Sequence, residues 1–274
     1  MKKSELQAYL SKINFEGIPA PSLDTLKKIH RLHPEYIAFE NIDPLTGAVP
    51  SLNTESILSK LIHQFRGGYC YEHNLLFKAV LETIGFDVSL HLGRVLWKRE
   101  TTLPKLARTH AFLTVNIDGL QYLADCGFGA MTLTSPLVIS NREIQDTPNG
   151  QFRLLYSNTT YTLVTINKDQ VFPIYEFTLD TMEIADLEVA NWYLSTYPKS
   201  NFINNLMLSK VDENARYAVN NTIMNIRHNN GNKESFDIEN SQHLVKLLKE
   251  YFSIEIKDET TLHKLDLFLK KFSA

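Results

Sequence analysis

The feature that most constrains the fold is a change in hydrophobic period near Asp87. Before it, apolar residues recur at the 3.6-residue period of helices, as at positions 57, 58, 61, 62 and 65. After it, Val88, Leu90 and Leu92 alternate with polar or small residues, which is the two-residue period of a half-buried strand. A helical part followed by short strands favours an α+β protein with a small barrel or sandwich. The further candidate strands lie near 110–117, 120–125, 152–157, 161–166 and 171–178.

The helical part contains three candidate helices, whose boundaries follow from capping residues. Ser22 is an N-cap signal for the first helix, and the second begins near Asn53 or Thr54. We expect Gly67-Gly68 to end the second helix, because glycine readily adopts the left-handed conformation of a helix terminus. A third helix begins almost at once, so that Cys70 falls in or just before its first turn.

The last third of the chain combines both periods. A hairpin is predicted around 229–232, and it is followed by a helix that bears apolar residues at 244, 247, 248, 251 and 252. The sequence contains no internal repeat and no low-complexity linker, so it does not place domain boundaries sharply.

The composition excludes several classes of protein. The 274 residues are 43% apolar and 22% charged, with 15 Phe and 12 Tyr, which is typical of a folded protein and not of a disordered chain. A formal net charge of −3 provides no basic surface for nucleic acid. The sequence has no run of about 18 apolar residues and no secretory signal, so we expect no membrane partner and a cytoplasmic location.

Two cysteines, Cys70 and Cys126, are too few for a disulfide framework in a chain of this length, and we expect both thiols to be free. Their ordinary role would be that of small buried apolar residues. The chain has no C-x-x-C or H-E-x-x-H motif, and His30 and His33 lack a neighbouring ligand at suitable spacing. We therefore predict no metal site and expect these two histidines to be structural or at the surface.

The segment 66–74, R-G-G-Y-C-Y-E-H-N, carries the strongest indication of chemistry. A cysteine attacks as a thiolate, and the partial positive charge of a helix N-terminus stabilises that form. We expect Arg66 to add a cationic field beside Cys70. Taken alone, the segment is explained equally well by a packing cysteine beneath a glycine turn.

A cysteine nucleophile needs a general base, and two histidines are candidates. His73 lies three residues after Cys70, so on the same helix we expect it to point along the helix surface. His110 opens an alternating strand that ends at Asp118-Gly119, a strong signal for a two-residue hairpin turn. This strand makes His110 the preferred candidate.

The predicted hairpin determines which side chains share a face. With the turn at 118–119, Phe112 faces Asp125, and His110 becomes a diagonal neighbour of Asp125 on the same face, about 7–8 Å away. A slip of one residue would place the two polar groups on opposite faces. The other face collects an apolar set fit for a core: Ala111, Leu113, Val115, Ile117, Leu120, Tyr122 and Ala124.

Together these residues predict a catalytic triad of Cys70, His110 and Asp125. The carboxylate fixes the imidazole tautomer and stabilises imidazolium, and the imidazole accepts the thiol proton. Cys126 directly follows Asp125, so its side chain turns to the other face, and we interpret it as a packing residue. The segment 127–129, Gly-Phe-Gly, is either a simple turn or a place where backbone approaches a pyrophosphate or an acyl carbonyl.

With these residues in hand, the sequence resembles the arylamine N-acetyltransferase family, which includes N-hydroxyarylamine O-acetyltransferases. Residues 66–74 resemble the family's nucleophile motif R-G-G-x-C-x-E-x-N, 109–111 its histidine strand, and 123–129 its aspartate strand. Residues 37–43 resemble the family segment I-P-F-E-N-L-D, and 195–202 resemble S-T-H-P-x-S-x-F. The chain departs from these patterns at Cys126 for Val, Ala38 for Pro and Tyr197 for His.

The resemblance implies a fold and a division into three domains. It implies a helical bundle at 1–86 that carries the nucleophile, a β-barrel at 87–195 that carries histidine and aspartate, and an α/β lid at 196–274. The core would be like that of cysteine proteases. No metal and no permanently bound cofactor are implied.

The resemblance also implies a ping-pong reaction in which acetyl-coenzyme A acylates Cys70 and an arylamine or arylhydrazine then takes the acetyl group. N-hydroxyarylamines would be acetylated on oxygen. A flat apolar acceptor requires an aromatic pocket, which the family pattern places at Phe39, Val95, Phe128 and Phe202. Core packing is the alternative role for each of these four.

The family pattern also places coenzyme A beside two backbone segments. Gly127 and Gly129, together with the loop 101–109, would approach the pantetheine and the phosphates of coenzyme A. No nucleic-acid partner is implied, and the sequence indicates no oligomeric state.

Three other functions are compatible with the same residues. Papain-like hydrolases and transglutaminases use the same Cys–His–Asp chemistry, and a binding module could keep the fold without activity. Within the family some members use another acyl donor, so the donor is not fixed by the sequence.

Overall fold

The computed structural model describes residues 1–99, 104–168 and 170–272. It confirms the predicted α+β class, with a helical part, a barrel-like sheet and a mixed C-terminal part in that order. A π-helical turn at Ser59–His63 extends the fourth helix, and a 3-10 turn occupies Gly129–Met131. The α-helices are α1 (Lys3–Lys12), α2 (Leu23–Tyr36), α3 (Ile42–Leu45), α4 (Thr54–Leu58), α5 (Cys70–Ile84), α6 (Ile184–Thr196), α7 (Asn201–Asn204), α8 (Ser241–Phe252) and α9 (Glu259–Lys270).

The strands are β1 (Phe39–Glu40), β2 (Asp87–Val95), β3 (His110–Ile117), β4 (Leu120–Ala124), β5 (Leu137–Val138), β6 (Gln145–Thr147), β7 (Gly150–Ser157), β8 (Thr160–Asn167), β9 (Gln170–Phe177), β10 (Met207–Val211), β11 (Ala215–Asn220), β12 (Ile223–His228) and β13 (Lys233–Asp237). They form two antiparallel sheets, with the orders β5-β4-β3-β2-β9-β8-β7-β6 and β1-β10-β11-β12-β13. The six strands predicted after Asp87 are confirmed, as is the hairpin around 229–232.

The β3–β4 hairpin has the predicted register. Ile117 pairs with Leu120, and Leu113 pairs with Ala124. The turn residues 118–119 have φ of 49° and 78°, the left-handed conformation that primed hairpin turns require. The predicted apolar face is buried except at Leu120, which is exposed because it directly follows the turn.

Both faces of this hairpin are covered. One face packs into a core shared with α1, α2, α4 and α5. The other face, with Phe112 and Leu123, lies inside the barrel-like sheet against residues of β7, β8 and β9. Polar side chains at the open end of this hairpin are consequently shielded from water.

The prediction that Gly67-Gly68 ends a helix in the left-handed conformation is wrong, because the residue with positive φ there is Phe65, at 53°. These glycines are needed for close packing instead. A Cβ on Gly67 would overlap the Ala38 carbonyl oxygen, and a Cβ on Gly68 would lie 2.7 Å from a carboxylate oxygen of Glu72. The absent side chains let β1 and α5 approach each other.

Strand β1 connects the N-terminal helical part of the chain to the C-terminal sheet. In the sequence it stands between α2 and α3, yet its Phe39 pairs with Ser209 of β10. Ala38 and Ile42, on either side of this strand, pack into the core that β10–β12 form with α8 and α9. The three-domain division at 86/87 and 195/196 stays a prediction.

The crowding at Gly67 leads to a first testable expectation. Gly67→Ala should destabilise the protein by about 1–3 kcal/mol, because the new methyl group must displace backbone at Ala38. The free energy of unfolding in urea measures this loss.

Gly119→Asn is the matched control. Apart from the two chain neighbours, no atom of the described residues lies within 4 Å of a Cβ at Gly119. Asparagine also tolerates the positive φ of this turn, so the effect should stay within about 0.5 kcal/mol. Equal stabilities of Gly67→Ala and wild type would contradict the close-packing explanation.

Candidate active site

Cys70 is the first residue of α5, as predicted, and its side chain is buried. Tyr69 before it is the N-cap residue, and its N–H donates a hydrogen bond to the Glu72 carboxylate at 3.0 Å. The first N–H groups of a helix carry partial positive charge, so an anion on the Cys70 sulfur would be stabilised there. The Cys70 Sγ lies 3.9 Å from the carbonyl oxygen of Thr109, the residue before His110.

Arg66 does not supply a free cationic field to Cys70, so that prediction is wrong. Its Nη2 lies 2.7 Å from Glu40 Oε1 and 2.7 Å from Asp43 Oδ1. Two carboxylates thus neutralise the guanidinium, and both come from the segment that packs beside α5. Arg66 therefore connects this segment to the start of α5.

His110 and Asp125 lie together as the hairpin register predicted. His110 Nε2 is 2.7 Å from Asp125 Oδ2, and the Asp125 carboxylate is completely buried. Two further donors reach it, the Gly127 N–H at 2.9 Å and Asn74 Nδ2 at 3.1 Å. Burial alone would raise the pKa of the Asp125 carboxyl, but His110 and these donors hold it below its usual value.

The same contacts act on His110. Burial lowers the pKa of its imidazole, whereas the Asp125 carboxylate and then Cys70 raise it more strongly, to about 9. The raised pKa favours the imidazolium form of His110 at neutral pH. Because Nε2 is committed to Asp125, Nδ1 is the ring nitrogen left for exchange of a proton with Cys70.

His73, the alternative candidate for the base, is buried, and its ring bonds to residues outside α5. It lies 2.8 Å from His33 Nε2 through Nδ1 and 3.2 Å from the Ala38 carbonyl oxygen through Nε2. Burial lowers the pKa of His73 to about 4. The predicted structural role of His33 agrees with this buried network, which Tyr9 extends by a hydrogen bond of 2.8 Å to His33.

Three of the four residues predicted to line an acceptor pocket are phenylalanines, and their rings pack on His110, on Tyr69 before α5 and on His73 of α5. The Phe128 ring packs edge-on against His110, with centroids 4.8 Å apart. The Phe202 ring packs edge-on against Tyr69 at 5.4 Å, and Phe39 stacks on His73 at 6.3 Å. All three are half-buried, so each keeps some surface for a ligand.

Val95, the fourth predicted lining residue, is half-buried and pairs with Tyr175 across β2 and β9. Directly paired residues of an antiparallel sheet share a face, so Val95 and Tyr175 point the same way. The Tyr175 ring lies 4.8 Å from the His110 ring, which places Val95 on the face of the sheet that carries His110.

Asn74 is a site residue that the sequence reasoning did not assign. Besides its bond to Asp125, its Nδ2 donates to the Ala111 carbonyl at 2.7 Å, and its Oδ1 accepts from the Cys126 N–H at 3.2 Å. Asn74 thus fastens the helix of Cys70 to both strands of the hairpin. The usable signal was its position four residues after Cys70, which places both on one helix face.

Tyr175 was also missed, since only the folded sheet places β9 beside β2. Its hydroxyl is buried and has no hydrogen-bond partner among the described residues. Burial first, and then the negative charge of Asp125, raise the pKa of this hydroxyl well above its usual value. Tyr175 also packs against Phe128, with ring centroids 5.4 Å apart.

The two glycines predicted to contact coenzyme A have different surroundings. A Cβ on Gly127 would lie 2.9 Å from Cys70 Cα and 2.7 Å from Asn74 Nδ2, so glycine is required there by packing against α5. Gly129 has φ of 71° and opens the 3-10 turn beside Phe39. In the predicted loop 101–109, residues 101–103 lie outside the described residues.

Cys126 is buried on the far side of the hairpin from His110, as predicted. Its Sγ lies 3.9 Å from the His30 carbonyl oxygen of α2. Burial and then Asp125 raise the pKa of this thiol well above its usual value. Both cysteines are free thiols.

Within 1–99, 104–168 and 170–272, no group of three or more His, Cys, Asp or Glu side chains could hold a metal ion. In the same part of the chain, no helix is long and apolar enough to cross a membrane.

Comparison with known proteins agrees with this geometry. A family model described as N-acetyltransferase matches residues 22–261. An arylamine N-acetyltransferase from Mycolicibacterium smegmatis is 37% identical over 257 residues, which cover 93% of this chain and 93% of that protein. An arylamine N-acetyltransferase / N-hydroxyarylamine O-acetyltransferase from Salmonella typhimurium is 30% identical, with 93% of this chain and 90% of that protein covered.

A solved structure gives the same result. The structure of Mycobacterium marinum arylamine N-acetyltransferase in complex with CoA superposes with a TM-score of 0.92 and 35% identity, covering 97% of this chain and 98% of that one. The fold and sequence matches confirm the resemblance inferred from the five sequence segments. The chain is an acyltransferase that belongs to the arylamine N-acetyltransferase family.

Proposed function

We propose that this enzyme transfers an acetyl group from acetyl-coenzyme A to arylamines and arylhydrazines, and to the oxygen of N-hydroxyarylamines. Cys70 is the nucleophile, His110 the general acid and base, and Asp125 the residue that orients His110. The observation that carries the proposal is the fully buried His110–Asp125 pair, 2.7 Å apart, at the helix N-terminus where Cys70 lies.

In the first half-reaction the proton of the Cys70 thiol is held on His110 Nδ1, and the Cys70 sulfur attacks the thioester carbonyl to form an acetyl-cysteine. The bond from the acetyl carbon to the coenzyme A sulfur breaks, and His110 Nδ1 gives its proton to that leaving sulfur. Asp125 keeps Nε2–H oriented throughout, so that Nδ1 always faces the reacting sulfur.

In the second half-reaction the nitrogen of the acceptor attacks the acetyl-cysteine. Neutral His110 accepts the proton of that nitrogen, and the Cys70 sulfur leaves. A flat aromatic acceptor would pack on the half-buried rings of Phe39, Phe128 and Phe202, which would exclude water from the acetyl-cysteine. Val95, on the face of the sheet that carries His110, is the fourth proposed lining residue.

Gly127, Gly129 and the loop 101–109 are proposed to contact coenzyme A, consistent with a related structure that contains CoA. A different acyl donor and a thiol hydrolase remain the alternatives that experiment must separate. A cytoplasmic location also stays a prediction.

The first test follows the acetyl group by intact mass and peptide mapping. Mixed with acetyl-coenzyme A and no acceptor, the protein should gain one acetyl group on the peptide that contains Cys70. Burial and the adjacent Asp125 suppress ionisation of Cys126, so Cys126→Ala should label like wild type and Cys70→Ala should not label.

An arylamine should then remove the label faster than buffer alone. Label on Cys126 would show that the nucleophile is misassigned. If water removes the acetyl group as fast as any amine does, Cys70 is still the nucleophile, but the enzyme is a hydrolase and not a transferase. If another acyl thioester labels Cys70 in preference to acetyl-coenzyme A, that thioester is the donor.

The role of Asp125 is tested by Asp125→Asn. The asparagine amide can donate to Nε2 and leave the ring proton on Nδ1, where it blocks proton transfer from Cys70. The rate of arylamine acetylation should fall by about 10³–10⁴-fold. Asp146→Asn, an exposed change on β6, should leave the rate unaltered. A folded Asp125→Asn enzyme with wild-type turnover would exclude this orienting role.

The protonation of His110 has a consequence for stability. Its pKa is raised in the folded state, from 6.5 to about 9, so the stabilisation is complete below pH 6.5 and disappears as the pH rises through 9. The free-energy difference between wild type and His110→Gln should therefore shrink over this range. The change should be on the order of 3 kcal/mol, since one pKa unit corresponds to about 1.4 kcal/mol. A difference that is independent of pH would contradict the raised pKa.

A further inference from the structure

His30 is a fully buried histidine of α2 that the triad does not include. Its Nε2 lies 3.0 Å from the backbone nitrogen of Asp125. The Phe77 ring packs edge-on against the imidazole at 5.5 Å, which restricts its rotation. The predicted structural role of His30 therefore involves direct contact with a residue of the proposed triad.

The geometry determines the tautomer of His30. A backbone N–H can only donate, so Nε2 must present its lone pair and the ring proton must lie on Nδ1. This Nδ1 is buried and has no hydrogen-bond partner among the described residues. The ring thus accepts the Asp125 N–H while its own Nδ1–H donor stays unpaired. An unpaired buried donor costs free energy, so the contact with Asp125 is kept at that cost.

The Asp125 N–H depends on this contact because it lies beyond the last paired residue of the sheet. Strand β4 ends at Ala124, and pairing with β3 stops there. Beyond the strand, the main chain of Asp125 is held by His30 at its N–H and by the Thr132 hydroxyl at its carbonyl, 3.2 Å away. Asn74 holds the next N–H, at Cys126.

We infer that His30 is a positioning residue for catalysis: its neutral imidazole accepts the Asp125 N–H and thereby sets the position of the carboxylate that orients His110. This inference rests on the proposed triad. His30 fixes the backbone of Asp125, whereas Asn74, His110 and the Gly127 N–H hold the carboxylate. A small shift of this backbone would lengthen the 2.7 Å contact with His110.

Burial keeps the His30 imidazole a pure acceptor, despite the titratable groups that face it. Asp125 and Cys126 approach from the end of β4, and His33 lies one turn further along α2. Burial outweighs the attraction of Asp125 and lowers the pKa of His30 to about 4. The imidazole therefore remains neutral throughout the pH range in which His110 titrates.

The test compares His30→Gln with His30→Asn. A glutamine carbonyl oxygen can reach the position of Nε2 and accept the Asp125 N–H, whereas the shorter asparagine places its oxygen near Nδ1. Both variants introduce an amide into the same buried site, so their stabilities should be similar. His30→Gln should retain kcat within about threefold, and His30→Asn should lose about tenfold, since a misplacement of about 1 Å can lower a rate about a hundredfold.

A second readout separates positioning from simple loss of structure. The rate of Cys70 alkylation by iodoacetamide is measured against pH in folded protein, together with the KM for acetyl-coenzyme A. His30→Asn should shift the alkylation profile relative to wild type and leave KM within about twofold. His30→Gln should restore the wild-type profile.

His33→Leu is the matched control, because His33 is equally buried on the same helix and bonds to Tyr9 and His73 but not to the triad. It should lower the unfolding midpoint without moving the alkylation profile. Wild-type kcat and profile in a folded His30→Asn enzyme would overturn the inference. The inference would also be overturned if His30→Gln and His33→Leu change kcat and the alkylation profile as much as His30→Asn does.

Wild-type protein is assayed alongside to keep the two proposals distinct. If the wild type does not acetylate Cys70, the proposed function fails, and the inference fails with it. If the wild type is active and the His30 variants do not differ from each other, only the role of His30 is excluded.

Discussion

The structure depends on the burial of one carboxylate, that of Asp125. A buried ionised group is tolerated only when its hydrogen-bonding capacity is met, and here the donors come from three places in the chain. His110 belongs to β3, Gly127 to the turn after β4, and Asn74 to α5. The barrel-like sheet and the helical part must therefore dock in one register. That register also brings Cys70, one helical turn before Asn74, to the open end of the hairpin.

The close approach of α5 to the hairpin is made possible by small residues. Gly127 leaves space for the Cys70 backbone, and Gly67 and Gly68 leave space for Ala38 and Glu72. The charges of this region are compensated locally, since Arg66 pairs with Glu40 and Asp43. The helix N-terminus and the His110–Asp125 pair therefore remain as the groups that act on the Cys70 sulfur.

Local patterns predicted the parts of the site that local rules govern. The Asp118-Gly119 turn fixed the hairpin register, and the register placed His110 beside Asp125. The start of α5 at Cys70 followed from the helical period of the apolar residues after it. The partners of Arg66, the burial of His73 and the contacts of Tyr175 and His30 could not be predicted. Each depends on packing between segments that are far apart in the sequence, and the local patterns of a single sequence do not indicate which segments pack together.

The pairing with Asp125 holds His110 as imidazolium beside Cys70. Nitrogen-15 NMR of the histidine rings in the intact enzyme tests it most directly, with His110→Gln identifying the resonance. The expected result is that both ring nitrogens of His110 are protonated at neutral pH and titrate near pH 9, while the rings of His30 and His73 stay neutral. A neutral His110 ring at pH 7 would contradict the account.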